Sequence, residues 1–151
     1  MSLDLARTIH IDAEPDEVWR VLTDVERWPE STSSISSVRR LEPGELGIGS
    51  RAAIRQPRFP EVIWTVNRYV PGVEFAWESE SPGIRSTGFH SVAPGVNGGT
   101  DLTLRIRQEG LFVLLFGWWL RGIDIRYLEM EAQGMKEKAE SSRAAAVLAA
   151  L

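Results

Sequence analysis

Residues 111–131 read LFVLLFGWWLRGIDIRYLEME, and the chain contains no proline after Pro94. This stretch predicts one long helix that continues into the charged, alanine-rich C-terminal residues. One side of the helical wheel is an apolar stripe, and the opposite side is charged. The stripe consists of Phe116, Leu120, Ile123, Tyr127, Met130 and Gly134. An apolar stripe needs another apolar surface to rest on, so the preceding residues must supply one.

The chain before this helix reads as short strands separated by turns. Apolar and polar residues alternate most cleanly in Leu5–Asp12 and Asp101–Arg107. Between these two segments, Pro-Gly pairs and glycine clusters recur every ~8 to 12 residues, which is typical of an antiparallel meander. The pattern predicts one strand, two short helices starting near Pro15 and Asp24, six more strands and the long helix. We expect an α+β domain with the helix lying across one face of the sheet.

The composition fits one domain spanning the 151 residues, with 5–140 as its core and 141–151 as a helix end or frayed tail. The net charge is -4 with both signs interspersed, so nucleic acid is not an expected partner. The absence of cysteine excludes disulfides, thiolate nucleophiles and cysteine-based zinc sites. The first residues lack the apolar run of a secretory signal, and residues 111–120 are about half as long as a bilayer span. We therefore expect a cytoplasmic protein without an integral membrane segment.

Several short motifs occur in a familiar order. They are IHIDA (9–13) leading into PDEVW (15–19), WP (28–29), WTV (64–66) ahead of Pro71-Gly72, FAW (75–77) and YLEME (127–131). In this order, the chain from about residue 5 to 140 resembles the START-like (SRPBCC) superfamily, and specifically its bacterial polyketide cyclase/dehydrase branch. The resemblance implies a helix-grip fold, in which a curved seven-stranded antiparallel sheet and the C-terminal helix enclose an apolar cavity. Members of the superfamily serve as receptors, carriers, aromatase/cyclases or chaperone-linked modules.

The alternation within each strand predicts which side chains face the helix. Most inward positions are apolar, and the polar residues among them are Gln56, Arg68, Ser86 and His90. His10 has the opposite parity and should face solvent. Trp64 and Trp77 offer flat apolar surface to a ligand, although core packing would explain them equally well. The predicted ligand-binding residues are Gln56, Trp64, Arg68, Phe75, Trp77, His90, Leu120, Asp124, Tyr127 and Glu131.

His90 is the candidate catalytic residue, because an inward histidine with a pKa near neutrality could act as a general acid or base. The alternative is a structural histidine that is hydrogen-bonded to a neighbouring element. Asp124 and Glu131 lie at the edge of the stripe. The favoured interpretation is that they are boundary residues whose side chains reach the rim of the cavity. Turned inward, an acid there could pair with Arg68 or orient a ligand hydroxyl. The sequence has no metal-ligand spacing and no dinucleotide loop, so we expect no metal and no cofactor.

These observations leave three functions open. The first is the binding or carriage of a small hydrophobic ligand in a pocket of roughly 300 to 1,000 Å³ between sheet and helix. The second, implied by the resemblance, is a polyketide cyclase/dehydrase-like enzyme in which His90, assisted by Arg68 or Asp124, moves a proton. The third is an interaction module that contacts a partner or a quinone-bearing membrane through Trp118-Trp119. That apolar helix end would also suit a cavity mouth or a homodimer contact, and a deeply buried helix start is the favoured interpretation.

Overall fold

The computed structural model describes residues 2–151 and has the predicted α+β fold. Its elements follow in the predicted order of one strand, two short helices, six strands and a long helix. They are β1 Ser2–Ile11, α1 Pro15–Thr23, a 3₁₀ helix Val25–Glu30, β2 Ser37–Arg40, β3 Arg51–Arg55, β4 Val62–Val70, β5 Glu74–Ser81, β6 Ile84–Pro94, β7 Thr100–Glu109 and α2 Leu111–Ala149. The fold class predicted from the sequence, a helix-grip architecture, is therefore confirmed.

The seven strands form one antiparallel sheet in the order β1-β7-β6-β5-β4-β3-β2. Strands β2 to β7 make a meander, because each pairs with the strand that follows it in the chain. β1 pairs with β7 instead, so α1 and the 3₁₀ helix carry the chain from one edge of the sheet to the other. Helix α2 then contacts β1, β7, β6 and α1. Within residues 2–151, no helix combines the length and apolarity needed to cross a bilayer.

The long helix differs from its prediction in two respects. Phe116 has non-helical backbone angles (φ -126°, ψ 16°) and a largely exposed side chain, so the predicted stripe is wrong at its first residue. Gly117 follows immediately, and glycine is a poor helix former. The buried face also lies about one residue further round the helix than predicted. It consists of Val113, Leu120, Ile123, Asp124, Leu128, Ala132, Gly134, Met135 and Ala139.

The two halves of α2 pack differently against the sheet. From Leu128 onward the helix contributes Leu128, Ala132, Met135 and Ala139 to one continuous apolar core that also contains residues of β1, α1 and the 3₁₀ helix. Small side chains allow this close packing, and a Cβ added at Gly134 would collide with the carbonyl oxygen of Ser31. The buried residues nearer the helix start lie outside this core. The helix is therefore held close to the rest of the fold at one end and stands off at the other.

Candidate functional site

A cavity of about 410 Å³ lies between the sheet and the N-terminal half of α2. Its walls are mainly apolar and aromatic, because strands β3 to β7 direct alternate side chains toward the helix. The apolar lining consists of Trp28, Ile35, Ile54, Val62, Trp64, Trp77, Ile84, Leu104, Ile106, Leu120 and Leu128. The more exposed lining residues belong to the β3–β4 loop, the β5–β6 turn and the first turns of α2, so the opening lies between these segments.

Three aromatic side chains link the β3–β4 loop to α2 beside this opening. The Tyr127 hydroxyl donates a hydrogen bond to the carbonyl oxygen of Pro57 at 2.6 Å. The ring of Phe59 packs edge-on against Tyr127 and against Trp119, with centroids 6.3 and 6.0 Å apart. These three side chains therefore tie the β3–β4 loop to α2 beside the cavity opening.

The structure brings eight of the ten predicted ligand-binding residues to the cavity wall. They are Gln56, Trp64, Trp77, His90, Leu120, Asp124, Tyr127 and Glu131. The Trp64 and Trp77 rings lie 5.9 Å apart, and Trp77 in turn packs edge-on against Trp28 at 5.3 Å. A Cβ at Gly88 would come within 3.1 Å of Trp77 Nε1, so the absence of a side chain there leaves room for this ring. The resulting surface suits flat, apolar guests.

Arg68 does not reach the cavity, and the prediction that it points inward is wrong. A β-bulge between Val66 and Arg68 inserts one residue into β4 and reverses the alternation beyond it. The Arg68 side chain is 61% exposed and donates a hydrogen bond from Nε to Glu74 at 2.6 Å. Tyr69 takes the inward position instead, with its ring 5.7 Å from Trp19.

Phe75 also falls outside the lining, which corrects its predicted place on the wall. Its side chain is 1% exposed and lies behind His90, with the two rings stacked at 4.3 Å and an interplanar angle of 11°. The stacking follows from the register of the sheet, because Phe75 and His90 are direct partners on β5 and β6. Phe75 therefore supports a cavity residue without itself meeting the cavity.

His90 is packed as a neutral, buried ring. Its Nδ1 lies 3.4 Å from the carbonyl oxygen of Phe75, and the rings of Trp77 and Trp28 lie 5.4 and 5.5 Å from its own. Burial lowers the pKa of His90 to about 4, and its hydrogen bond to the Phe75 carbonyl opposes the shift only partly. At neutral pH the ring is therefore uncharged and can accept a hydrogen bond from a guest, but it holds no proton to give as an imidazolium. Its catalytic role stays a prediction.

Asp124 and Glu131 both line the cavity, so the expectation that they reach only the rim is wrong. Asp124 is 8% exposed, its Oδ2 has no hydrogen-bond partner, and burial raises its pKa to about 7. Glu131 Oε1 accepts hydrogen bonds from Ser34 Oγ and Gln56 Nε2, each at 3.3 Å. Burial raises the pKa of Glu131 to about 7, against the effect of the Ser34 hydrogen bond and helped by the charge of Asp124. The helix thus brings two acids to an otherwise apolar wall.

The packing of α2 against the loop after the 3₁₀ helix fixes the position of Glu131. Gly134 lets the helix backbone approach the carbonyl of Ser31 closely. The same loop is stiffened by Thr32, whose Oγ1 lies 2.8 Å from Ser34 Oγ and accepts a hydrogen bond from the Ser34 backbone N–H. Ser34 is consequently held where its hydroxyl can reach Glu131.

Gln108 is a cavity residue that the sequence reading missed. Its side chain is 7% exposed, lines the cavity and leaves Oε1 without a partner. The alternation of Leu102, Leu104 and Ile106, continued by one step, predicts that Gln108 also faces the helix. The predicted strand, however, ended at Arg107. Trp64 Nε1 is a further buried lining atom without a hydrogen-bond partner.

Trp118 and Trp119, near the start of α2, have different surroundings. Trp119 lines the cavity, whereas Trp118 is 77% exposed.

Comparisons with known proteins place this geometry in context. A family model described as "Polyketide cyclase / dehydrase and lipid transport" matches residues 2–140, whereas a search of curated protein sequences found no match. Among solved structures, Zhui aromatase/cyclase from Streptomyces sp. R1128 shares 19% identity over 93% of this chain and 94% of that one, with a TM-score of 0.73. A norcoclaurine synthase mutant from Thalictrum flavum shares 12% identity over 95% and 97%, with a TM-score of 0.75. Major latex-like protein 151 from Panax ginseng shares 11% over 92% and 98%, with a TM-score of 0.75. At these identities the structural likeness shows the fold alone.

Proposed function

This chain belongs to the polyketide cyclase/dehydrase and lipid transport family, and from that premise we propose that it binds or carries a small, mostly apolar molecule between its sheet and α2. The observation that carries the proposal is the cavity of about 410 Å³ with aromatic and aliphatic walls. Ligand sites in proteins commonly enclose ~300 to 1,000 Å³ and combine apolar walls with a few polar groups. A cytoplasmic location, expected from the sequence, is part of the same proposal.

Ligand binding is favoured over catalysis because one of the two predicted proton-transfer arrangements, His90 assisted by Arg68, does not form. Arg68 lies outside the cavity, and His90 is uncharged near neutral pH. A cyclase/dehydrase-like enzyme remains a second candidate because the pKa of Asp124, about 7, suits a general acid or base near neutral pH. In that case Asp124→Asn and His90→Ala would abolish turnover of a cyclisable substrate without unfolding the protein, and unchanged turnover would remove the role assigned to that residue.

The binding proposal is tested with a neutral fluorescent probe such as N-phenylnaphthylamine and a cavity-filling variant. Ser86 is a buried lining residue, so Ser86→Phe places a ring in the hollow, whereas the neighbouring Thr87 points to the other face of the sheet. We expect wild type and Thr87→Phe to bind the probe, and Ser86→Phe to lose binding by at least about tenfold. Native mass spectrometry of the purified protein should show a retained or added apolar molecule. Equal probe binding by all three proteins would refute occupation of this cavity.

The first turns of α2 support a role in contacting a membrane or a partner, as the third function predicted. Trp118 is exposed together with Leu111, Leu114 and Leu115, and a cluster of exposed apolar side chains is unusual outside interaction surfaces. We expect Trp118→Ser to reduce flotation with phospholipid vesicles, or to shift a homodimer to monomer in light scattering. Ile63→Ser, which removes an exposed apolar residue from β4, is the control. Undiminished flotation and an unchanged mass for Trp118→Ser would remove this role.

A further inference from the structure

Three buried polar atoms on the cavity wall have no hydrogen-bond partner among residues 2–151. They are Asp124 Oδ2, Trp64 Nε1 and Gln108 Oε1. Each belongs to a side chain that is more than nine-tenths buried. A buried polar atom without a hydrogen bond is costly, and such atoms are rare in native structures. Their shared position on one cavity points to a guest that carries polar groups of its own.

The acids on this wall have no basic side chain to balance them. Asp124 and Glu131 are seven residues apart on one face of α2, a separation of about 10 Å along the helix axis. Among residues 2–151, the basic residues that line the cavity are Arg58 and Arg105. Arg58 is exposed on the β3–β4 loop, and the guanidinium of Arg105 pairs with Asp4 while lying 4.8 Å from the centroid of the Phe89 ring. Neither one forms a hydrogen bond with Asp124 or Glu131.

Building on the proposed function, we infer that the guest is a ring-bearing apolar molecule whose polar end carries a protonated amine that donates to Asp124. An ammonium group supplies both the missing hydrogen-bond donor and the missing positive charge. The rings of Trp64 and Trp77 lie on the same cavity wall and offer flat apolar surface to the ring of the guest. An alcohol would supply the donor without the charge, and a carboxylate would meet two acids. Away from the amine, the guest would carry an oxygen that accepts a hydrogen bond from Trp64 Nε1–H and a donor for Gln108 Oε1.

Three probes that share one ring system separate these end groups. They are naphthylethylamine, naphthylethanol and naphthylacetate, each titrated calorimetrically at about pH 8, where the amine is protonated and free carboxyl groups are ionised. We expect the wild-type protein to bind the amine at least about tenfold more tightly than the alcohol, and naphthylacetate most weakly. That ratio is the size expected for a charge-assisted hydrogen bond.

Asp124→Asn tests the assigned residue with little change of side-chain size. We expect it to remove the advantage of the amine and to leave the affinity for the alcohol within about twofold of wild type. Glu137→Gln removes an acid from the exposed side of the same helix and should preserve the wild-type order of affinities. An amine preference that persists in Asp124→Asn would overturn the inference.

The outcomes distinguish this inference from the proposed function on which it rests. If the three probes bind with equal affinity, or naphthylacetate binds best, the amine inference is overturned and the binding function stands. If none of the three binds and N-phenylnaphthylamine also fails to bind, both the proposed function and the inference are overturned. Binding of naphthylethylamine but of neither other probe, together with its loss in Asp124→Asn, supports both the proposed function and the inference.

Discussion

At the scale of single residues, burial shifts the two kinds of titratable group on the cavity wall in opposite directions. A low-dielectric environment disfavours the charged form, so it raises the pKa of a carboxyl group and lowers that of an imidazole. Asp124 and Glu131 reach a pKa of about 7, whereas His90 falls to about 4. Near neutral pH the histidine is uncharged and the acids are only partly ionised. The wall therefore suits an apolar guest, and a bound cation would favour the ionised form of the two acids.

The raised pKa of Asp124 predicts a pH-dependent stability. The folded-state pKa of about 7 lies above the ordinary value of 3.8, so the unfolded chain ionises first as pH rises. The free energy of unfolding should therefore fall between about pH 4 and 7, by at most ~4 kcal/mol from this group. We expect Asp124→Asn to be ~1 to 3 kcal/mol more stable than wild type at about pH 8, and to show no such gain near pH 4, in urea denaturation. Glu137→Gln is the control, and equal pH slopes for Asp124→Asn and wild type would contradict the buried position of this carboxyl.

The two histidines should titrate at different pH values, although an unperturbed histidine would have the same pKa at either position. Hydrogen bonding to Asp101 raises the pKa of His10 above 6.5, while burial lowers that of His90 to about 4. In the NMR spectrum we expect the His10 ring protons to shift first as pH is lowered and the His90 protons to shift near pH 4. Because the His90 pKa is depressed, its contribution to stability is lost as pH falls from about 6.5 to 4. A His90 signal that titrates with or before His10 would show that the ring is not buried as described and would reopen its role as a general acid.

At the scale of elements, strand parity identified most of the cavity lining but failed where the pairing of strands is irregular. Trp64 and Trp77 were placed correctly because Trp64 precedes the bulge in β4 and Trp77 lies where β5 pairs with β6 in regular register. Arg68 was misplaced because the extra residue of a bulge depends on how β4 pairs with β5, which single-strand alternation does not reveal. The direction of Asp124, cavity or rim, stayed open because the face that α2 buries is decided by contacts with the core. The order of elements along the chain and the long helix were thus predictable from local patterns, whereas these two side-chain directions were not.

The close approach of α2 to Ser31 predicts opposite effects for two glycine substitutions in one helix. A Cβ at Gly134 would meet the Ser31 carbonyl, so Gly134→Ala should destabilise the fold by ~1 to 3 kcal/mol and loosen the Ser34–Glu131 contact. Gly122 has open space around its Cα, so Gly122→Ala should stabilise the helix by up to ~1 kcal/mol. Chemical denaturation of the two variants checks both signs. A stabilising Gly134→Ala would mean that the helix does not lie against this loop.

At the scale of the whole molecule, the cavity results from uneven packing along one helix. The C-terminal half of α2 presents Ala132, Gly134 and Ala139, which let it press against α1 and the loop after the 3₁₀ helix. The N-terminal half presents larger residues such as Leu120 and Ile123, and the cavity lies between this half and the sheet. The sequence predicted a hollow only through the family resemblance, because the volume enclosed depends on how all these side chains pack together. The long helix, the sheet and the 3₁₀ helix therefore all contribute to the site.

This unevenness predicts a gradient of local stability along α2. Segments with few buried contacts open more readily, so backbone amides of residues 120–128, beside the cavity, should exchange with deuterium faster than those of 132–139, which lie in the core. Residues 143–149 are exposed and should exchange fastest, which provides an internal reference. An apolar guest should slow exchange in 120–128 and leave 143–149 unchanged, because it fills the space under the first of these segments. Uniform protection from 120 to 139 in the ligand-free protein would mean that the helix is supported equally along its length, and a supported helix leaves no room for a guest.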